Sequence, residues 1–154
     1  MTGPHSLQDL LDVEAIKQLK SDYFYFMDTK QWEKWKEVFT ADFAVEGSAA
    51  HLGGRDAFVD FVRRLLEGVE SCHFGFMPAI EIVGVTSAHG RWSMYDDLLL
   101  PAGHPWSEEP VRRLGYGYYD EEYRRDEDGW RISSMRLSRL REWTVPVAGL
   151  GVDQ

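Results

Sequence analysis

The sequence predicts an α+β fold in which helices pack across the concave side of a strongly curved antiparallel sheet and enclose a pocket. Three observations carry that reading. Over the first 65 or so residues, apolar positions recur at steps of three and four, the period of helices with one buried face. From residue 71 the period shortens toward alternation, as in half-buried strands. Helices that precede strands, rather than alternate with them, group on one face of an antiparallel sheet.

Each element follows in order. The first helix opens at Ser6, and Asp9 three positions on completes a capping box. Leu10, Val13, Ile16, Leu19, Tyr23 and Phe26 form its expected buried stripe. A second helix covers residues 30–39, with Trp32, Trp35, Val38 and Phe39 inward. "DFAVEG" reads as a short strand. "GGRDAFVDFVRRLLEGV" reads as a glycine turn and a third helix burying Phe58, Phe61, Val62 and Leu65. "SCHFGF" and "AIEIVGV" are strand segments interrupted by Pro78, whose missing N–H marks a sheet edge or a bulge. "AHGRWSMYDDLLL" is a long strand, and "PAGHPWSEEP" is the longest loop, with the composition of a mobile surface segment. "VRRLGYGYYDEEYRR" and "GWRISSMRLSRLREW" join through "DEDG", where Gly129 supplies positive φ. The tail "TVPVAGLGVDQ" either frays or lies over a pocket mouth.

Composition bounds the function. A chain of 154 residues, 44% hydrophobic and 14% aromatic, suits one domain spanning residues 1–154. Such a domain buries roughly two thirds of its unfolded surface. The net charge of −9 repels a phosphate backbone and speaks against nucleic acid as a partner. Cys72 stands alone, so neither an internal disulfide nor a thiolate metal site is expected. The histidines His5, His51, His73, His89 and His104 are scattered, with no pair at helical spacing for zinc. No apolar run approaches the length of a membrane span. The start "MTGPHSLQDLLDVE" lacks a signal layout, and a cytoplasmic location is the expectation.

Five residues could carry chemistry. Asp28 closes the aromatic run "YFYF" and opens "DTKQ"; it either caps the next helix or points into the pocket. His73 faces away from Cys72, Phe74 and Phe76, and an imidazole can accept and return a proton near neutral pH. Asp96 is in phase with Trp92 and Met94; if that phase is internal, the carboxylate needs a cationic partner. Arg139, in phase with Met135 and Leu137, could be that partner. Tyr23 is either plain core or a buried phenol with a partner.

Taken together, "DVEAIKQLKSDYFYFMDTKQW", "CHFGFMPAIEI", "GRWSMYDDL" and "YYDEEYRRDEDGWRI" resemble the SnoaL-like branch of the nuclear transport factor 2-like superfamily. The resemblance spans about residues 12–143 and looks most like the bile-acid 7α-dehydratases, with scytalone dehydratase a related member. It implies the cone-shaped barrel of that superfamily and places functional roles on Tyr23, Asp28, His73, Asp96 and Arg139. It departs at Met27, where scytalone dehydratase has tyrosine, and near Leu98, where that enzyme has a second histidine. It departs again near Gly47, in place of a tyrosine of the bile-acid enzyme, and in the loop at 101–113.

What the resemblance implies is elimination of water without metal or organic cofactor. His73 moves the proton, Asp28 holds the imidazole, Tyr23 stabilises the charged oxygen, and Asp96 pairs with Arg139. Phe76, Trp92, Met94 and Tyr119 would line the site for an apolar, ring-containing molecule such as a steroid, polyketide or aromatic. An isomerase or cyclase with Asp28 as base, or a non-catalytic ligand-binding module, stands as the alternative. A homo-oligomer, trimer or dimer, is expected through the outer sheet face around "YGYYDEEYRR".

Overall fold

A computed structural model describes residues 4–147, the side chains at 48 and 49 excepted. Helix α1 (Leu7–Asp28) leads into the short helix α2 (Trp32–Lys36) and strand β1 (Phe39–Val45). A 3₁₀ turn at Gly47–Leu52 and helix α3 (Arg55–Leu65) follow. The remaining strands are β2 (Glu70–Gly84), β3 (Ser87–Leu100), β4 (Val111–Asp126) and β5 (Gly129–Pro146).

The start of α1 is as expected. Ser6 Oγ accepts the Asp9 N–H at 3.0 Å, while the Asp9 carboxylate accepts from the Ser6 hydroxyl and the His5 N–H. Such a cap contributes about 1 kcal/mol. The buried face is different. It consists of Asp12, Ile16, Lys20, Tyr23 and Met27, whereas Leu10 is half exposed. Two of these five positions are charged and satisfied by distant partners. Asp12 accepts from Arg125 Nη1 at 2.6 Å and Trp130 Nε1 at 3.1 Å, and Lys20 pairs with Glu121.

The chain leaves α1 through Lys30, held at φ 59°, with the Gln31 N–H bonded to the Phe26 carbonyl. This tight reversal shortens the second helix to Trp32–Lys36 and gives Phe39 to β1. Trp35, Phe39, Phe43 and Phe58 then pack with ring centroids 4.5 to 5.8 Å apart, tying α2, β1 and α3 into one aromatic core. Such pairs contribute about 0.5–1.5 kcal/mol each beyond their buried area.

The sheet order is β1-β5-β4-β3-β2. All neighbours are antiparallel except β1 and β5, which run parallel, so the sheet is mixed rather than antiparallel throughout. It is strongly curved and unclosed, with β1 and β2 as its two edges. Both readings of Pro78 hold: β2 is an edge strand, and its register shifts between Phe76 and Ala79, where Met77 takes φ 41°. The "DEDG" hairpin is present, with Gly129 at φ 119°.

Two further expectations need correction. The loop at 101–110 folds back on α3: His104 is buried, and its Nε2 lies 2.8 Å from the Leu65 carbonyl. The proposed tail is partly strand, since residues 144–146 continue β5 alongside β4; residues 148–154 lie outside the described residues.

Candidate active site

The concave face of the sheet, α1 and α3 enclose a cavity of about 410 Å³. Its wall is mostly apolar. Phe58, Phe61, Val62 and Leu65 of α3 face it, as expected for that helix, although only Phe58 of the four is fully buried. Polar groups reach it from Tyr23, His73, Arg113, Tyr119 and Arg139, among others.

Asp28 and His73 meet on the face of the sheet that α1 crosses. The last residue of α1 brings its carboxylate to β2, where Oδ1 lies 2.6 Å from His73 Nδ1 and Oδ2 accepts the His73 backbone N–H at 2.8 Å. Ser71 Oγ also donates to Oδ1 at 2.8 Å and accepts from Lys30 Nζ at 2.6 Å. An ionised carboxylate can only accept, so Nδ1 carries the proton that it shares with Asp28. In the neutral imidazole this leaves Nε2 with its lone pair. Asp28 is therefore no helix cap: the cap position of α2 is Gln31, which makes no side-chain capping bond. The left-handed turn at Lys30 carries α2 away from the carboxylate and brings the Lys30 ammonium beside it. Burial lowers the Lys30 pKa, and Asp28 opposes that shift.

Asp96 and Arg139 also come together. Asp96 is 1% exposed, and the guanidinium grips it with Nη1–Oδ1 at 3.1 Å and Nη2–Oδ2 at 2.5 Å. Burial alone would lower the Arg139 pKa, but the bonds and charge of Asp96 reverse this and hold the guanidinium ionised. The pair crosses β4 directly over Gly115. A Cβ there would sit 2.4 Å from Arg139 Nη1 and 2.8 Å from Asp96 Oδ1, so only glycine leaves the passage open. Arg139 faces the cavity, with Asp96 buried behind it.

Tyr23 is buried against Tyr119, their ring centroids 6.0 Å apart, and both phenols reach the cavity wall. Desolvation raises the pKa of both phenols, so both remain protonated donors.

The expected lining residues fare unevenly. Tyr119 is on the cavity wall. Phe76 is not: it is 47% exposed and stacks on Phe74, because β2 alternates and both side chains leave on the face opposite His73. Trp92 is buried, but its indole N–H donates to Tyr123 Oη at 2.9 Å. It borders a smaller hollow of about 330 Å³ between α1 and β2, which His73 also touches. Met94 is buried in the core without reaching the cavity wall.

Other residues at the site escaped the sequence reading. Trp106 and Arg113 both line the cavity, with the guanidinium 3.8 Å from the indole ring centroid. Arg113 was findable from its phase with Gly115 and Gly117 on β4. Trp106 gave no signal beyond being an indole in a polar loop. Glu46, His51 and Leu98 also contribute to the wall. Among the described residues, no three His, Cys, Asp or Glu side chains converge as a metal site. No helix among them is long and apolar enough to cross a membrane.

A curved, open sheet roofed by three helices, with polar groups converging in an apolar cavity, defines a pocket-bearing α+β domain. Residues 8–136 match the family described as SnoaL-like domain, and the chain belongs to that family. Solved structures share the fold. A protein assigned as a scytalone dehydratase from Novosphingobium aromaticivorans is 20% identical over 88% of each chain, with a TM-score of 0.77. The hexachlorocyclohexane dehydrochlorinase LinA-type3 from Novosphingobium barchaimii is 22% identical over 93% of this chain and 94% of its own, with a TM-score of 0.73. A single-substitution variant of Rv3472 from Mycobacterium tuberculosis, a protein of unknown function, is 23% identical over 87% of this chain and 75% of its own, with a TM-score of 0.72.

Proposed function

We propose that the protein is a cofactor-independent lyase that removes water from a hydroxylated, ring-containing small molecule such as a ketosteroid, polyketide or aromatic. The observation that carries this reading is the 2.6 Å contact between Asp28 and His73 Nδ1 beside a largely apolar cavity. His73 Nε2 takes a proton from a carbon made acidic by a carbonyl, directly or through a conjugated double bond. The C–H electrons pass to an enolate and return to form the new C=C bond as the hydroxyl departs. The imidazolium gives its proton to that hydroxyl, so one water leaves and the imidazole is restored.

Asp28 holds the imidazole in the reactive tautomer and stabilises its cation, as a carboxylate does in hydrolase triads. The Tyr23–Tyr119 pair donates to the enolate oxygen, and Arg139, fixed by Asp96, anchors the far end of the ligand. The names carried by two structural relatives, a dehydratase and a dehydrochlorinase, support a reaction that takes a proton and a leaving group from adjacent positions. The isomerase reading with Asp28 as base is disfavoured. Both of its oxygens are engaged by His73 and Ser71, and it does not line the cavity.

Incubation with a panel of hydroxylated ketosteroids and polyketides, read by mass spectrometry, tests the proposal. The expected product has lost one water and gained conjugated absorbance. A product of unchanged mass would establish isomerisation, and binding without any product would leave a ligand-binding module. On the outer sheet face, Phe74, Phe76, Tyr116 and Tyr118 are exposed, which supports assembly of two or three copies, a point that light scattering reads.

A further inference from the structure

Beneath the two cavity tyrosines lies an ion pair with no exposed side-chain surface at all. Lys20 Nζ is 2.5 Å from Glu121 Oε1, and both side chains are 0% exposed. The ammonium also lies 3.8 Å from the Tyr119 ring centroid, 3.9 Å from that of Tyr23 and 4.8 Å from that of Phe24. A buried ion pair contributes little net stability, because desolvating two charges offsets their attraction; apolar residues of similar volume often serve as well or better. Its position suggests another use.

Each charge shares an element and a face with one tyrosine. Lys20 stands one helical turn before Tyr23 on the inner face of α1. Glu121 stands two residues after Tyr119 on the inner face of β4. The two ends of the pair are also treated differently. Glu121 Oε2 accepts from the Tyr123 hydroxyl, which in turn accepts from Trp92 Nε1 at 2.9 Å, so both carboxylate oxygens are hydrogen-bonded. The ammonium is left against the electron-rich ring faces, where a desolvated cation interacts most strongly.

We infer that Lys20, oriented by Glu121, is a positioning residue that polarises the Tyr23–Tyr119 pair and so stabilises negative charge on a ligand oxygen bound by their hydroxyls. This rests on the elimination reading for its purpose, but its electrostatics can be measured without turnover. A cation over a phenol ring draws electron density inward and strengthens the O–H as a donor. Two such phenols on the cavity wall pass the effect to an oxygen bound there, where it favours an enolate over the parent ketone.

The test uses 4-nitrophenol, whose neutral and ionised forms absorb differently, as a probe bound to the whole protein. The wild type should bind the phenolate in preference to the neutral phenol. Lys20→Met/Glu121→Gln removes both charges while nearly keeping volume. Folded by near-ultraviolet circular dichroism, it should lose about tenfold of that preference, a part of what a desolvated cation–π contact contributes. Lys20→Gln/Glu121→Gln, which retains a hydrogen bond between the two positions, makes the same measurement if the first variant does not fold. In a Tyr23→Phe/Tyr119→Phe background the charge neutralisation should have no further effect. A wild type without preference for the phenolate, or an unchanged preference in the folded neutral variant, overturns the inference. Should no substrate be dehydrated while the phenolate preference behaves as stated, the elimination reading fails and the role of Lys20 stands.

Discussion

Between His73 and Asp28 a single proton decides which imidazole nitrogen keeps a lone pair. His73→Ala should keep the fold and lose at least about 100-fold in kcat, since a positioned base contributes on the order of 10²–10⁴. Asp28→Asn is the sharper test. Its amide can donate to Nδ1, which would move the imidazole proton to Nε2 and leave no lone pair there. Nitrogen-15 shifts should report the exchanged tautomer, with kcat falling while substrate affinity is nearly kept; an unchanged tautomer would remove Asp28 from its assigned role. Gly115→Ala acts on the other pair. Its Cβ would collide with Arg139 Nη1 and part it from Asp96, stranding a buried carboxylate at a cost of about 3 kcal/mol in urea denaturation. His73, Asp96 and Arg139 were legible as candidates from their phase, opposite Phe74, with Trp92 and with Leu137 respectively. Asp28 read only as a cap or a pocket group and took its role from the family resemblance. Lys20 was not legible. A stripe drawn from hydrophobicity sends every lysine to solvent, and its partner lies 101 residues away.

At the level of elements, α1 offers a clear comparison between the stripe that hydrophobicity draws and the one that packs. Leu10 belongs to the first stripe only and Ile16 to both. Leu10→Ala should change stability by no more than about 0.5 kcal/mol, whereas Ile16→Ala should cost about 3 kcal/mol. Equal losses would restore the hydrophobic stripe as the buried face. The expected stripe is displaced because Asp12 and Lys20 hold inward positions through ion pairs that no local pattern encodes. The break in β2 at Pro78 was readable from the absent N–H alone, and so was the Gly129 turn. The second helix was overextended because Trp35, Val38 and Phe39 keep helical spacing while the backbone has already turned into β1. Phe76 is excluded from the cavity by strand alternation, which sets it opposite His73 despite its aromatic character.

Across the whole molecule, buried phenols set the alkaline limit of stability. Burial raises the pKa of Tyr23, Tyr119 and Tyr123 above the ordinary 10.0. Above that pH the unfolded chain releases three protons that the folded chain keeps, so stability falls as pH rises. Lys20 works the other way. Burial lowers its pKa, so as pH approaches its ordinary 10.5 the unfolded chain holds more of that proton and stability rises; beyond 10.5 this contribution no longer changes. The phenols therefore act alone above about pH 11. Urea midpoints should drop steeply there, and Tyr123→Phe should make the drop shallower. A flat profile would mean that the three hydroxyls reach water.

The parallel pairing of β1 with β5 has a consequence for how the molecule is made. The strand that anchors the N-terminal half to the sheet finds its neighbour only in the segment after Gly129, close to a hundred residues downstream. Contacts of such sequence separation are costly to close and slow to form. A nascent chain halted before that turn can zip β2, β3 and β4 together and lay α1 on β2, yet it has no rail on which to seat β1 and, through it, α3. The cup around the cavity is thus finished by the final strand, and deleting that strand removes the vessel along with its rim.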